Sequence, residues 1–113
     1  MGNMYIYNDF VTDEALAPQK KKILRKLWMN AGQLGIYIIT LNNGPDMFDI
    51  IHTGVLKQRS YPKRDLYMLG MAKGKESAMI LCGELFEAFR QQYGSDHFSE
   101  DLKKDKKRLF RRF

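Results

Sequence analysis

The sequence predicts one α+β domain of two layers, in which a small, mainly antiparallel sheet of three to four strands is covered by two amphipathic helices. Three observations lead to this prediction. Residues 36–41 form a run of β-branched and aromatic residues, which favours a strand. Residues 20–31 and 75–93 repeat apolar side chains at helical spacing. A short apolar run at 66–72 immediately precedes the longer helical segment and suits a buried strand.

The N-terminal half is expected to hold the shorter helix and a hairpin. Met4 to Phe10 carries three aromatic residues and is interpreted as an edge strand or an arm packed on the body. Pro18 suits the first turn of a helix. After the strand at 36–41, Asn42-Asn43-Gly44-Pro45-Asp46 is a strong turn signal, so residues 47–52 read as the returning strand of an antiparallel hairpin. The apolar stripe of the first helix comprises Ile23, Leu24, Leu27, Trp28 and Ala31.

The longer helix follows a tight turn at Lys73-Gly74-Lys75. Gly94 can adopt the left-handed conformation that commonly ends a helix, so we expect the helix to stop after Tyr93. Its apolar stripe is predicted to comprise Ala78, Cys82, Leu85, Phe89 and Tyr93. Neither set of alternating side chains in the strand at 36–41 is polar. The two long helices are expected to cover one face of the sheet, so the other face would need a partner, the tail or solvent. The pattern of this strand indicates a second covering layer there, and a homodimer is one way to supply it.

Composition limits the class of protein. A chain of 113 residues with 44% hydrophobic and 12% aromatic residues has the values of a globular protein, so we expect one domain spanning 1–113. No apolar run approaches the roughly 20 residues that cross a bilayer. The single cysteine excludes an internal disulfide framework. The N-terminus lacks a signal-peptide pattern, and we therefore expect a soluble cytoplasmic protein.

The positive charge is concentrated near the C-terminus. Of the net +6, residues 103–112 contribute seven basic and one acidic side chain, and the remaining twelve basic and twelve acidic residues cancel. Residues 95–113 are therefore predicted to be a basic C-terminal helix or tail. The basic residues of this candidate site are Lys103, Lys104, Lys106, Lys107, Arg108, Arg111 and Arg112.

Three interpretations of this basic segment stay open. Its charge density suits the phosphates of RNA or DNA. The interleaved Leu109, Phe110 and Phe113 equally suit an anionic membrane surface or an acidic protein groove. In the third interpretation, these apolar side chains fold back on the body and the charges only decorate the surface.

A second basic stretch lies at 20–26 and holds five basic residues and no acidic one. Together with Trp28 it could contact a nucleic-acid backbone and stack on a base. The interpretation that we favour from the sequence is a solvated helix face with Trp28 in the core.

Residues 70–77 join a strand to a helix through glycines, as a phosphate-binding loop does. The spacing argues against nucleotide hydrolysis, because only three residues separate Gly70 from Gly74 and Glu76 follows Lys75 where a hydroxyl residue is needed. Weaker anion binding by Lys73 and Lys75 at the helix N-terminus is the remaining functional hypothesis. The ordinary interpretation is a tight turn at Gly74 and close approach of the helix to the sheet at Gly70.

No catalytic or metal-binding pattern is visible. His52, Cys82 and His97 fall in three different elements without metal-site spacing. We therefore expect no cofactor, no metal and no enzymatic activity. The leading hypothesis is a small non-catalytic binding module that contacts nucleic acid through its basic tail. The alternative is a homo-oligomeric adaptor or structural protein whose tail holds an acidic protein partner or an anionic membrane surface.

Overall fold

One five-stranded sheet forms the centre of the molecule. A computed structural model describes residues 3–29, 33, 35–41, 48–57 and 65–113. Its strands are β1 (Met4–Thr12), β2 (Ile36–Leu41), β3 (Phe48–His52), β4 (Leu66–Lys73) and β5 (Phe110–Arg112). Its α-helices are α1 (Lys20–Trp28), α2 (Lys75–Tyr93), α3 (Ser99–Lys104) and α4 (Lys106–Leu109). Two short 3₁₀ helices lie at Ala17–Gln19 and Thr53–Lys57.

The sheet is mixed and has the strand order β3-β2-β4-β1-β5. β1 runs parallel to β4, while the β1–β5, β2–β3 and β2–β4 pairs are antiparallel. The prediction of an α+β domain with a mainly antiparallel sheet is therefore confirmed in outline, but the sheet has five strands instead of three to four and includes one parallel pair. Met4–Thr12 is an inner strand rather than an edge or an arm. Its neighbours are distant in sequence, since Tyr5 pairs with both Tyr67 and Arg112, and no local pattern encodes such contacts.

Helices cover both faces of the sheet. On one face α1 buries Ile23, Leu24 and Leu27 against a core that includes Ile38 and Met68. On the other face α2, α3 and α4 pack on a core that includes Ile39 and Leu69. The expectation that both long helices share one face is wrong, because β2 presents apolar side chains on both sides and each side needs a cover. The adjacent residues Ile38 and Ile39 both have 0% exposure, one in each core.

The second layer that the sequence calls for is supplied by α1 of the same chain. This removes the observation that favoured a homodimer, and the homodimer stays a prediction. The hairpin turn at 42–46, together with Ala31 and Met47, lies outside the described residues.

Three glycines lie where the backbone conformation or a close neighbour disfavours a side chain. Gly74 has φ +89° in the turn between β4 and α2, and Gly94 ends α2 in the left-handed conformation at φ +69°. Both agree with the sequence interpretation. Gly70 differs from it, because the nearest obstacle to a side chain there is β1 rather than the helix. A Cβ on Gly70 would lie 2.7 Å from Val11 Cγ2 and 2.8 Å from the Val11 carbonyl oxygen.

The basic C-terminal segment is built into the fold. Phe98 and Leu102 are fully buried, and Leu109 and Phe110 join the same core. Instead of one helix or tail, the chain forms α3, α4 and then β5, which pairs with β1. Helix α4 ends at Leu109 because the following residues are extended and take the edge of the sheet. The apolar side chains at 109–110 thus fold back on the body.

Candidate functional site

A basic groove runs between α1 and β5, the C-terminal strand at the edge of the sheet. Its volume is about 450 Å³. Five of its lining residues are cationic and none is acidic. Apolar side chains line the rest of the groove. The residues are Ile6, Lys20, Lys21, Leu24, Arg25, Arg111, Arg112 and Phe113.

Helix α1 supplies one wall of the basic groove. Its buried face, which includes Leu24, fixes the rotation of the helix on the sheet. Lys21 and Arg25 are four residues apart and therefore lie one above the other on the same flank. The ammonium of Lys20 lies 5.2 Å from the ring centroid of Phe10, which holds this lysine near the body by a cation–π contact.

Strand β5 supplies the opposite wall. Arg111 pairs with Ile6, and residues directly opposite each other in a sheet project to the same face, so Arg111 lies on the α1 side. Its neighbour Phe110 projects into the other core and anchors the strand. The Arg112 guanidinium donates to Asn3 Oδ1 at 3.0 Å. The N–H of Phe113 donates to the Met4 carbonyl at 2.9 Å, which extends the pairing to the end of the groove.

The charge of the basic groove is not neutralised within the described part of the chain. In that part of the chain, Arg90 forms ion pairs with Glu87 and Asp96, and Arg108 forms one with Asp105. None of them involves the five groove cations. A second hollow of about 460 Å³ adjoins the groove and shares Lys20, Lys21 and Arg25 with it. Like charges lining a concave surface concentrate positive potential there and attract anions.

The predicted tail site is divided by the fold. Only Arg111 and Arg112 of its seven basic residues line the basic groove. Lys103, Lys104, Lys106, Lys107 and Arg108 belong to α3 and α4. Those helices pack through Leu102 and Leu109 on the opposite face of the sheet. Within this group, Lys106 Nζ lies 4.1 Å from the Tyr67 ring centroid and the Arg108 guanidinium lies 3.1 Å from Asp105 Oδ2.

Lys73 and Lys75 lie far from the basic groove. Arg112 is level with Tyr67 in the sheet because both pair with Tyr5, and Lys73 is six residues further along β4, about 20 Å away. Both lysines are exposed beside the first turn of α2. An adjoining cavity of about 340 Å³ is lined by the carboxylates of Asp13, Glu14 and Glu84.

Asp13 stabilises the backbone around Lys73, just before α2. Its carboxylate accepts hydrogen bonds from the backbone N–H of Lys73 at 2.8 Å and of Leu16 at 3.1 Å. It therefore ties the end of β4 to the segment after β1. Carboxylates so close to the start of α2 oppose a bound anion, so anion binding by Lys73 and Lys75 stays a prediction without further support.

Cys82 is a half-buried residue of α2. Burial raises the pKa of the Cys82 thiol, which lowers its thiolate fraction and its reactivity. Over the described ranges, no cluster of three or more His, Cys, Asp or Glu side chains could hold a metal ion. No helix in that same part of the chain is both long and apolar enough to cross a membrane.

The sequence interpretation missed the main feature of α1. Trp28 was expected in the core, yet 60% of its surface is exposed. A signal for this was present, since Trp28 follows Lys21 by seven residues and Arg25 by three, which puts all three on one helical flank. The apolar spacing alone suggested burial because Trp28 also follows Leu24 by four.

Comparisons of the chain with protein-family models, with curated proteins and with solved structures found no match.

Proposed function

We propose that the protein is a small non-catalytic module that binds nucleic acid in the basic groove. One observation carries this proposal: two basic segments from opposite ends of the sequence converge on one concave surface whose lining holds no carboxylate. Packing alone does not require this, because the apolar faces of α1 and β5 would be buried equally well with acidic residues at their rims.

The chemistry of the groove suits a phosphodiester backbone. Three of the five cations lie on α1, where Lys21 and Arg25 are about one helical turn apart, and two are arginines of the paired strand β5. Arginine forms bidentate hydrogen bonds with phosphate oxygens, and lysine adds a point charge. The remaining basic residues on α3 and α4 raise the positive potential of the whole molecule and speed the encounter with a polyanion. They are not required to touch it.

The alternatives from the sequence receive less support. A planar anionic membrane meets protruding side chains, whereas these cations line a concavity. An acidic protein segment would also satisfy the charge, but five cations without a carboxylate in the same groove suit best a polymer with one negative charge per residue. The cytoplasmic location stays a prediction.

The test is a pair of matched double variants. Lys21→Gln/Arg25→Gln removes one lysine and one arginine from the groove wall. Lys107→Gln/Arg108→Gln removes the same two residue types from α4, on the other face of the sheet. Both variants have the same net charge, so any difference between them reports position rather than overall charge. Binding of labelled single-stranded and duplex oligonucleotides is measured by anisotropy over a series of salt concentrations.

We expect the groove variant to bind more weakly by on the order of tenfold at low salt. The slope of log affinity against log salt should become shallower by about 1.4 for a single strand, because two phosphate contacts are lost. The α4 variant should keep nearly the affinity and the salt slope of the wild type. Equal losses in the two variants, absence of binding by the wild type, or tighter binding to anionic vesicles than to either oligonucleotide would contradict the proposal.

A further inference from the structure

Two exposed aromatic side chains accompany the basic groove. Phe113 is one of its lining residues, and Trp28 lies one helical turn beyond the lining residue Arg25 on the same flank of α1. Neutralising phosphate charge does not require either ring. Trp28 at the end of α1 is 60% exposed, and Phe113 beyond β5 is 45% exposed. Tryptophan is highly buried on average in folded proteins. Because Trp28 is exposed near several cations, a ligand that has both an anionic part and a flat apolar part would fit this surface.

We infer that the basic groove binds single-stranded nucleic acid, with bases stacked on Trp28 and Phe113 and phosphates held by the groove cations. This inference rests on the proposed function and specifies its ligand. Aromatic platforms beside a basic track are the common means of binding single strands, since every base has a face to stack.

The position of Trp28 fits this arrangement. Trp28 lies on the flank of α1 that also carries Lys21 and Arg25, because these residues are seven and three positions before it. The rise of the helix separates Lys21 from Trp28 by about 10 Å. That length corresponds to about three phosphates of a stacked strand. A strand following this flank would therefore meet two cations and then the indole ring.

The position of Phe113 is fixed by the sheet. Its N–H is bonded to the Met4 carbonyl at 2.9 Å, so the backbone is held in register with β1. Side chains alternate along an extended chain, which puts Phe113 on the same face as Arg111 and toward α1. The ring is thus presented to the groove by an ordered backbone, and less conformational entropy is lost when a base stacks on it.

The groove favours a single strand over a duplex. In a duplex the bases stack on one another and are unavailable to protein aromatics. A duplex would leave the exposed rings of Trp28 and Phe113 without a base to stack on. The volume of about 450 Å³ falls within the range of sites that enclose a small organic group.

Trp28 is also the means of testing the inference, because it is the only tryptophan in the chain. The full-length protein is titrated with four probes of equal length: oligothymidylate, oligouridylate, an abasic deoxyribose-phosphate strand and a hairpin duplex. Tryptophan fluorescence reports stacking, and anisotropy of a label on each probe reports affinity. The two pyrimidine strands separate DNA from RNA as the source of the ligand.

We expect both pyrimidine strands to quench the fluorescence of Trp28, whereas the abasic strand quenches little and binds about tenfold or more weakly. Trp28→Ala should weaken binding of the pyrimidine strands by a similar factor, and Trp28→Phe should retain most of the affinity. Ile80→Ala is the control, since Ile80 is equally exposed at 60% but lies on α2 across the sheet. It should bind as the wild type does.

Equal affinity for the abasic and base-bearing strands would overturn the inference, as would full affinity of Trp28→Ala or a preference for the hairpin. These outcomes leave the proposed function intact if the Lys21→Gln/Arg25→Gln variant still loses affinity. Absence of binding to all four probes would overturn both.

Discussion

At the scale of single residues, Gly70 sets the contact between β4 and β1. The register of the two strands shifts here, since Ile6 pairs with Met68 and Val11 with Gly70. The extra residues of β1 bring the Val11 backbone against Gly70, where a Cβ would lie 2.8 Å from a carbonyl oxygen. Backbone cannot move aside as a flexible side chain can.

We therefore predict that Gly70→Ala lowers the free energy of unfolding by about 1–3 kcal/mol. Gly83→Ala is the control, because Gly83 lies in the exposed middle of α2 with nothing within 4 Å of an added Cβ. It should raise stability by up to about 1 kcal/mol through helix propensity. Urea denaturation measures both, and a neutral Gly70→Ala would show that β1 is not held against β4 as described.

Tyr93 gives a prediction about pH. Burial, and then the hydrogen bond from its hydroxyl to Asp105 Oδ2 at 2.8 Å, raise its pKa from 10.0 to about 12. Between those two values the unfolded chain loses this proton while the folded chain keeps it, so ionisation favours unfolding. The stabilising contribution is complete below pH 10.0 and is lost as the pH rises toward about 12.

The free energy of unfolding of the wild type should therefore fall more steeply above pH 10 than that of Tyr93→Phe. Tyr7 and Tyr67 also have raised pKa values, chiefly through burial, but they are present in both proteins and cancel in the comparison. Urea unfolding at several alkaline pH values measures the two slopes. Parallel curves would mean that Tyr93 titrates normally in the folded chain.

At the scale of elements, β5 ties the C-terminal segment to the sheet through Phe110. This ring lies 5.6 Å from that of Tyr7 and 5.3 Å from that of Tyr67, centroid to centroid. We predict that Phe110→Ala destabilises the protein by about 3–5 kcal/mol. Phe113→Ala, three residues later and largely exposed, should cost less than about 1 kcal/mol. Thermal unfolding distinguishes them, and equal effects would argue that β5 is not docked.

Some elements are specified by local sequence patterns and could be predicted, whereas others depend on pairing between residues distant in sequence. β2 and α2 begin and end where the sequence predicts, at Ile36–Leu41 and Lys75–Tyr93. Their periodicity and the glycine at the end of α2 are local signals. β5 could not be predicted, because a three-residue strand with two arginines has no strand pattern and is specified by pairing with Tyr5–Tyr7. The parallel pairing of β1 with β4 is non-local for the same reason.

The candidate site, too, could be predicted only in those parts that local sequence specifies. The basic residues of α1 and of the C-terminal segment are both visible in the sequence, but their meeting depends on the order of the strands. β5 pairs with β1 and carries Arg111 to the α1 face, while α3 and α4 carry the other five basic residues to the opposite face. Charge density along the chain therefore does not show which basic residues share one surface.

At the scale of the whole molecule, helices on both sides of the sheet explain why one basic surface forms. α1 packs on one face through a core that includes Ile6 and Leu24, and the groove lies where this core meets the basic residues of α1 and β5. The net charge of +6 is thus distributed over two faces. On one of them, five cations that have no acidic partner in the described part of the chain converge on the groove. The proposed function depends on this convergence.

Nuclear magnetic resonance mapping of a bound oligothymidylate on the isotope-labelled chain tests that convergence most directly. We expect the amide shifts of residues 20–28 and of 110–113 to change together, with one common dissociation constant, because both walls contact one strand. Amides of α3 and α4 and those near Lys73 and Lys75 should change little. Shifts confined to α3 and α4, or to the start of α2, would contradict the account.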